Sequence, residues 1–496
     1  MSAHGAAITA IASGAAIAAL ALPGRASAAG LYFGDRGVRP LGRGGAFVAG
    51  GDDLGAIPYN PANVFDAGSQ LLIDGSWVNF SSDYTRQSTL RQVDPNTGQT
   101  VGTSTQTYPT VHGTTPFLPI PTLAISFKVH PKWVISLGVW APYAALTSYP
   151  AEVDNKPAPQ RYSVINLDGS LLAFVGATAA FAPSKEWRIG ATLGALTGKF
   201  NTLVDFSGCV PERFICAPED PNWDVLGSLS VAPIVAPFAQ LGATFIPKPA
   251  FRLGLSVSAP VPIRSGGTLQ TRLPAAPLFE RATQEGTAVG VSFNLPLVLR
   301  AGLEARPIEE VRIAADVSYE SWSMHKSIDV TPDHVALVDV AGFPKRYYLP
   351  TISLARNFQD AVGVHLGGEF GPKKVNRFGL TGRAGASFET SAIPQNSMSV
   401  LTYDATKVTL AAGGSVHIGR LRLDATFAHV FPFDVTVAPE NAAIAQVSPV
   451  TANPPKNPNT INGGFYSARA NIIGLGMAYS FDGPGASLVP TMPASH

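Results

Sequence analysis

The feature that most restricts this chain is a two-residue alternation of apolar and polar side chains, returning in segment after segment between residues 70 and 481. In Val311-Arg312-Ile313-Ala314-Ala315-Asp316-Val317-Ser318-Tyr319-Glu320 the odd positions are apolar and the even ones polar or small. Leu253, Leu255, Val257, Ala259, Val261 and Ile263 alternate in the same way with Gly254, Ser256, Ser258, Pro260, Pro262 and Arg264. Trp187 to Ala195 and Leu421 to Ala428 repeat the pattern. Successive side chains of a strand face opposite ways, so each segment has one apolar and one polar face. Fourteen such segments are expected, at 70–83, 119–130, 132–147, 160–182, 186–206, 224–246, 250–264, 284–305, 311–330, 358–370, 376–389, 404–418, 420–431 and 464–481. Tight connections, such as His130-Pro131-Lys132, Pro183-Ser184-Lys185 and Pro247-Lys248-Pro249, alternate with long polar links at 84–118, 207–223, 265–283, 331–357 and 432–463. A soluble sandwich or propeller would share the alternation. An even strand number with short turns at one end and long loops at the other points instead to an antiparallel barrel that spans a membrane.

Composition narrows the alternatives. Only 14% of residues are charged, against about 25% in typical soluble domains. The 49 Gly and 42 Pro oppose a helical bundle, because both disrupt helix interiors. With 35 Lys+Arg against 34 Asp+Glu the formal net charge is +1, which gives no basic field for nucleic acid. At 46% hydrophobic residues, intrinsic disorder is also excluded.

Four regions are expected. Residues 5–24 are uncharged and end at Pro23-Gly24, and Ala26-Ser27-Ala28 fits a signal-peptidase site, so residues 1–28 form a signal peptide and the mature chain starts near Ala29. The alternative, an N-terminal membrane anchor, would need ~20 strongly apolar residues. The uncharged stretch Val225 to Pro247 carries Pro233 and Pro237 in its middle, so it reads as a strand and not as a membrane helix. Residues 29–69 lack alternation, are Gly-dense and are too apolar for a free tail, and a barrel of this size has a lumen wide enough for a plug. The barrel then occupies 70–481, and 482–496 is a flexible tail.

Several short stretches resemble one family, the FadL-type outer-membrane transporters of long-chain fatty acids and other hydrophobic compounds. Gly30-Leu31-Tyr32-Phe33, Leu41-Gly42-Arg43-Gly44-Gly45-Ala46, Asp52-Asp53 and Tyr59-Asn60-Pro61-Ala62 are similar to its N-terminal hatch, and Asn-Pro-Ala is the most specific of these. Trp140-Ala141-Pro142-Tyr143-Ala144 resembles a stretch of its third strand, and Tyr319-Glu320-Ser321-Trp322-Ser323 one of its ninth. Asn357-Phe358-Gln359-Asp360 with Val364-His365-Leu366-Gly367, and a last strand ending in Tyr479-Ser480-Phe481, complete the series. The resemblance implies a fourteen-stranded barrel closed by a hatch at Gly42, Arg43, Gly44, Asn60, Pro61 and Ala62. It implies ligand capture near the outer loops, an internal site, and lateral release into the bilayer through an inward kink of strand three at Pro142, Tyr143 and Ala144. Ala144 stands where the family usually has Gly, and Phe481 is followed by fifteen further residues.

The residues themselves support a passage, not a reaction. Carrying an apolar molecule requires an apolar pocket with at most one or two cations for a carboxylate. Arg36 and Arg43 are candidates; salt bridges to Asp35, Asp52, Asp53 or wall acids are the competing and favoured role. Asn60 and Pro61 have the chemistry of a turn. Pro142 has no N–H to donate, so in a sheet it marks an edge or a bulge. Cys209 and Cys216, the only two cysteines, fit a disulfide in an oxidising compartment. That bridge would brace a loop presenting Phe214 and Ile215, with Leu278 and Phe279 of the neighbouring loop, as an apolar surface for ligand capture. No Gly-x-Ser-x-Gly elbow or His-Glu-x-x-His is present, the nine His are scattered, and no enzyme activity, cofactor or metal is expected. The expected partners are a hydrophobic ligand, outer-membrane lipid and lipopolysaccharide, with the protein a monomer in the cell outer membrane. A general porin, and a lipid hydrolase or adhesin on the same barrel, are the alternatives; which hydrophobic ligand is carried stays open.

Overall fold

A computed structural model of the chain describes residues 37–93, 100–115, 117, 119–144, 148–209, 219–375, 377–450 and 459–482. The expected signal peptide and nearly all of the expected tail lie outside these residues. Fourteen antiparallel strands form a closed barrel. They are β1 (Gln70–Val93), β2 (Thr100–Thr114 with Pro119–His130), β3 (Trp133–Ala144), β4 (Leu171–Phe181) and β5 (Trp187–Ser207). Then come β6 (Asp224–Lys248), β7 (Phe251–Ser258 with Val261–Arg272), β8 (Ala288–Leu295 with Val298–Ile308) and β9 (Val311–Glu320 with Ser327–Pro332). The circuit ends with β10 (Ile352–Ala355 with Ala361–Val375), β11 (Phe378–Glu389), β12 (Lys407–Ile418), β13 (Leu421–Pro432) and β14 (Gly464–Ser480). β14 returns to β1, from Gln70↔Ser480 to Arg86↔Gly464. Closure gives every strand a neighbour on each side, which matters because an unpaired backbone group in lipid is expensive.

Several expected boundaries move: the strand expected to end at 264 runs on to Arg272, and the one expected over 358–370 begins at Ile352 and ends at Val375. Part of the expected link 84–118 is a hairpin, in which β1 runs on to Val93 and pairs with Thr100–Thr114. Its second arm, from Val101 to Thr110, is largely exposed on both faces, and beyond Tyr84 the buried face of the first arm carries Arg86 and Ser88, so it has no apolar face for alternation to reveal. The expected strand 160–182 begins only at Leu171. Before it, the chain folds into the barrel mouth, where Arg161 Nε donates to Asp224 Oδ2 at 2.6 Å.

The wall also records where the membrane ends. β7 to β10 are each interrupted at a similar height, at Ala259-Pro260, Pro296-Leu297, Ser321–Lys326 and Arg356–Asp360. On the tight-turn side of these breaks the outward residues are exposed and apolar, among them Leu255, Leu299, Ile313, Val317 and Leu366. On the other side they include exposed Arg264, Gln270, Thr331 and Ser353. Near the tight turns, Trp133 stacks on Phe181 at 4.5 Å and Trp187 lies 4.6 Å from Phe245, as in the aromatic girdle of an outer-membrane barrel.

Residues 37–68 lie inside the lumen and are almost wholly buried. They form short turns, not long helices: Val38–Leu41, Leu54–Ala56, Pro61–Asn63 and Val64–Ala67. This hatch lies close against the wall because the wall offers glycines to it. Gly190 pairs with Gly242, Gly254 with Gly302, and Gly367 with Gly385. A Cβ on Gly190 would sit 2.4 Å from Ala62 N, and one on Gly385 would sit 2.2 Å from the Arg43 carbonyl carbon. Side chains there would push the hatch off its seat.

Candidate functional site

The hatch is anchored by buried charge. Arg39 pairs with Glu369 at 2.8 Å, with Asp52 at 2.5 Å and with Asp53 at 3.1 Å. Arg43 meets Glu304 at 2.7 Å, Arg312 meets Asp52 at 2.8 Å, and Arg422 meets Asp53 at 2.5 Å. Farther round, Asp66 holds both Arg188, at 3.2 Å, and Arg252, at 2.8 Å. Burial by itself would raise the Asp52 carboxyl, but Arg312 and Arg39 hold it well below the usual carboxylate range. Its contribution to hatch seating is therefore present above its ordinary pKa of about 3.9 and is lost only as strong acid protonates it.

The expected hatch residues occupy this lattice. Arg43 is paired, in line with a salt-bridge role; Arg36 lies outside the described residues. Asn60 caps the turn Pro61–Asn63: its side-chain oxygen accepts from Ala62 N at 3.1 Å, while its Nδ2 donates to Val48 O at 2.8 Å and Thr244 Oγ1 at 3.0 Å. Gly44 has φ +62, and a Cβ there would sit 2.5 Å from Ala386 N. Gly42 faces Thr426 and Arg383 with similarly little room.

The wall is divided by charge. Among the described residues, every buried charged strand residue lies on β1 or on β5 and β7 to β13, including Asp74, Arg188, Arg252, Glu304, Glu369 and Asp424. Among the described residues, the buried positions of β2, β3 and β4 carry no charge. Against this sector the hatch turns Leu54, Ile57, Val64 and Phe65, which join Ala124, Val134 and Trp140 in one apolar cluster.

In that sector the barrel ladder lapses. The β2–β3 register runs from His130↔Trp133 to Thr122↔Trp140 and stops. β3 nevertheless continues to Ala144, paired to β4 alone, with a register shift between Trp140 and Tyr143. The bulge expected of Pro142 is thus present; the side chains of 142–144 are outside the described residues. Directly inside it Trp140, Phe174 and Phe238 form an aromatic group, with ring centroids 5.5, 5.9 and 4.3 Å apart. With hatch residue Pro58, and with Val261 and Pro296, they line a chamber of about 30 Å³ whose polar end is Arg300, Glu320 and Gln240. A second chamber of about 20 Å³, lined by Asp316, His365 and Glu389, shares Arg300 and Glu320 with it.

One buried cation was not visible in the sequence pattern. Arg356, at the β10 break, is 4% exposed, and its Nε and Nη2 have no hydrogen-bond partner among the described residues. The adjoining breaks place Phe293, Trp322, His325 and Phe358 in ring contact with one another, and His325 Nε2 also lacks a partner. At the outer loops, Leu278 and Phe279 are buried and not an open landing surface, because Phe279 packs edge-on against Trp223 at 6.2 Å. Phe214, Ile215 and Cys216 lie outside the described residues; Cys209 is disulfide-bonded.

Fold and site together define a plugged outer-membrane barrel for transporting small hydrophobic molecules. The chain belongs to the family described as outer membrane protein transport protein (OMPP1/FadL/TodX), whose model matches residues 19–481. A Pseudomonas aeruginosa FadL homologue is 13% identical, with a TM-score of 0.66 over 91% of this chain and 100% of that one. The Pseudomonas putida toluene transporter TodX is 15% identical, with a TM-score of 0.60 over 90% of this chain and 98% of that one. The Ralstonia pickettii toluene transporter TbuX is 15% identical, with a TM-score of 0.54 over 90% and 98% respectively. No curated protein sequence matches the chain.

Replacing Glu304 with Ala leaves Arg43, Arg306 and Arg312 without the carboxylate they share. Breaking a buried pair from one side costs about 3–5 kcal/mol, so the hatch should loosen while the barrel persists. Liposome swelling should show increased entry of small hydrophilic solutes through an otherwise heat-modifiable, folded protein. Unchanged impermeability would mean that these ion pairs do not hold the hatch.

Proposed function

We propose that this protein imports long-chain fatty acids or similar hydrophobic molecules, and that the ligand leaves the barrel sideways through the lapse between β2 and β3. The observation that carries the reading is the coincidence of three features: a broken ladder, a chamber immediately behind it whose near side is aromatic, and buried positions free of charge on β2, β3 and β4. Pro142 removes a ladder donor, so the opening there faces hydrocarbon with few polar groups to satisfy. An apolar ligand exits into the phase that dissolves it, without crossing the charged side of the hatch. A porin role fits poorly with a lumen filled by a hatch.

The outer loops, with Phe214, Ile215, Leu278 and Phe279, are the proposed capture region, braced by a Cys209–Cys216 bridge. Burial of Leu278 and Phe279 means that the cap must part to admit ligand. Arg356 is the proposed partner for a carboxylate, because a buried guanidinium with unpaired donors gains most from a charged acceptor. The toluene transporters of similar fold support neutral aromatic ligands for the same apolar route. The protein is read as a monomeric channel in lipid and lipopolysaccharide, without enzyme activity.

Two experiments test this. Had the ladder continued from Thr122↔Trp140, Ile120 would face Pro142. An Ile120→Cys/Pro142→Cys pair should, when oxidised, abolish oleate uptake by intact cells and restore it on reduction; normal uptake by the oxidised form would refute lateral release. Arg356→Leu should weaken binding of oleate by about 10–100-fold, the range for a lost charged hydrogen bond, while leaving a neutral alkane unaffected. Equal losses for both ligands would assign Arg356 to structure.

A further inference from the structure

The chamber behind the seam is too small for its cargo. At about 30 Å³ it has room for about two waters at ~10–15 Å³ each, and none for an aromatic ring or an alkyl chain. Something lining it must move during each passage. Most of its walls cannot move easily. Pro58 belongs to the ion-paired hatch, and Phe174 sits within a continuous β4–β5 ladder from Leu171↔Lys199 to Phe181↔Ile189.

Trp140 differs from these in three ways. It is the last β3 residue with a β2 partner, and the β4 register breaks immediately after it. Its indole is 2% exposed and lines the chamber, on the last β3 position before the seam. The wall beneath it is also bare: Gly138, Gly176 and Gly194 form one rung across β3, β4 and β5. A Cβ on Gly176 would lie 3.6 Å from the Trp140 ring carbon Cη2. The ring therefore lies over a strip of wall with no side chains, on the last β3 position that is paired on both sides; immediately beyond it the strand is paired to β4 alone.

On the lateral-release reading above, we propose that Trp140 is the gate residue of this channel. Its indole closes the passage from chamber to seam, and its bulk sets the cross-section of hydrophobic molecule that can leave. Phe174 and Phe238 form the aromatic surface against which it closes. The assignment is a specificity role, and the hatch, which excludes hydrophilic solutes, is separate from it.

The test compares initial uptake of toluene, naphthalene and pyrene by intact cells producing the full chain, with barrel insertion checked by heat-modifiable mobility. Trp140→Ala should raise the pyrene-to-toluene rate ratio by about tenfold, the scale on which pocket size discriminates, with Trp140→Phe between it and the wild type. Entry of hydrophilic solutes should not change. Should the Ala variant fail to insert, Trp140→Leu and Trp140→Phe supply the same size series. An unchanged ratio in correctly inserted variants would overturn the gate. The two readings separate through the oxidised Ile120→Cys/Pro142→Cys background: loss of all uptake there with an unchanged ratio in the Trp140 variants sinks the gate alone. A ratio shift that persists through a closed seam sinks both, since Trp140 would then act on some other path.

Discussion

Within hydrocarbon every backbone N–H and C=O must find its partner inside the protein, and this requirement organises the whole molecule. It forces the alternating segments into one closed circuit, with β14 returning to β1 along Gln70–Arg86. It also makes a lapse in pairing informative. Beyond the outer breaks of β7 to β10 the outward residues turn polar, and pairing can stop there because water supplies the missing bonds. The β2–β3 ladder stops at Trp140, whose ring lines the chamber with Phe174 and Phe238. A protein that needed only a sealed wall would gain nothing from that seam.

The interior is arranged around the same seam. Buried arginines and carboxylates hold the hatch to β5, β7 to β10 and β13, whereas no ion pair among the described residues joins it to β2, β3 or β4. Buried pairs contribute little net stability against apolar packing of equal volume, but they are costly to break singly. Here they act as fixed points, and the opposite sector stays free of charge. On the proposed lateral route an apolar molecule would move along that sector without separating ions, and the hatch would not have to leave the barrel for cargo to pass.

Much of the architecture was legible in the sequence because two-residue alternation reports a wall with one wet and one greasy face. Val311–Glu320 is a strand as its alternation indicates, and Pro142 marks a bulge, since a residue without an N–H cannot keep a ladder. The hairpin at Val93 and Thr100 escaped because its second arm meets water on both faces and the buried face of its first arm carries Arg86 and Ser88. The hatch lattice escaped for another reason: Arg39 and Glu369 are 330 residues apart, and Arg43 and Glu304 are 261 apart. No local pattern names such partners. Arg356 looks in sequence like one more charge near the end of a polar link, and only the packing of three neighbouring strand breaks buries it. Leu278 and Phe279 are recognisable as apolar loop residues, but alternation could not reveal that Trp223 and its neighbours cover them.

The most direct test of the account is to record where a moving ligand touches the wall. A fatty acid carrying a diazirine at its tail, photolysed during uptake by cells producing the unmodified protein, leaves a covalent adduct that peptide mass spectrometry can place. The account predicts adducts on Trp140 to Ala144 and on Phe174 or Phe238. Adducts confined to the hatch and the charged sector around Arg312, Glu369 and Asp424 would contradict it, because the ligand would then be passing straight through to the periplasm.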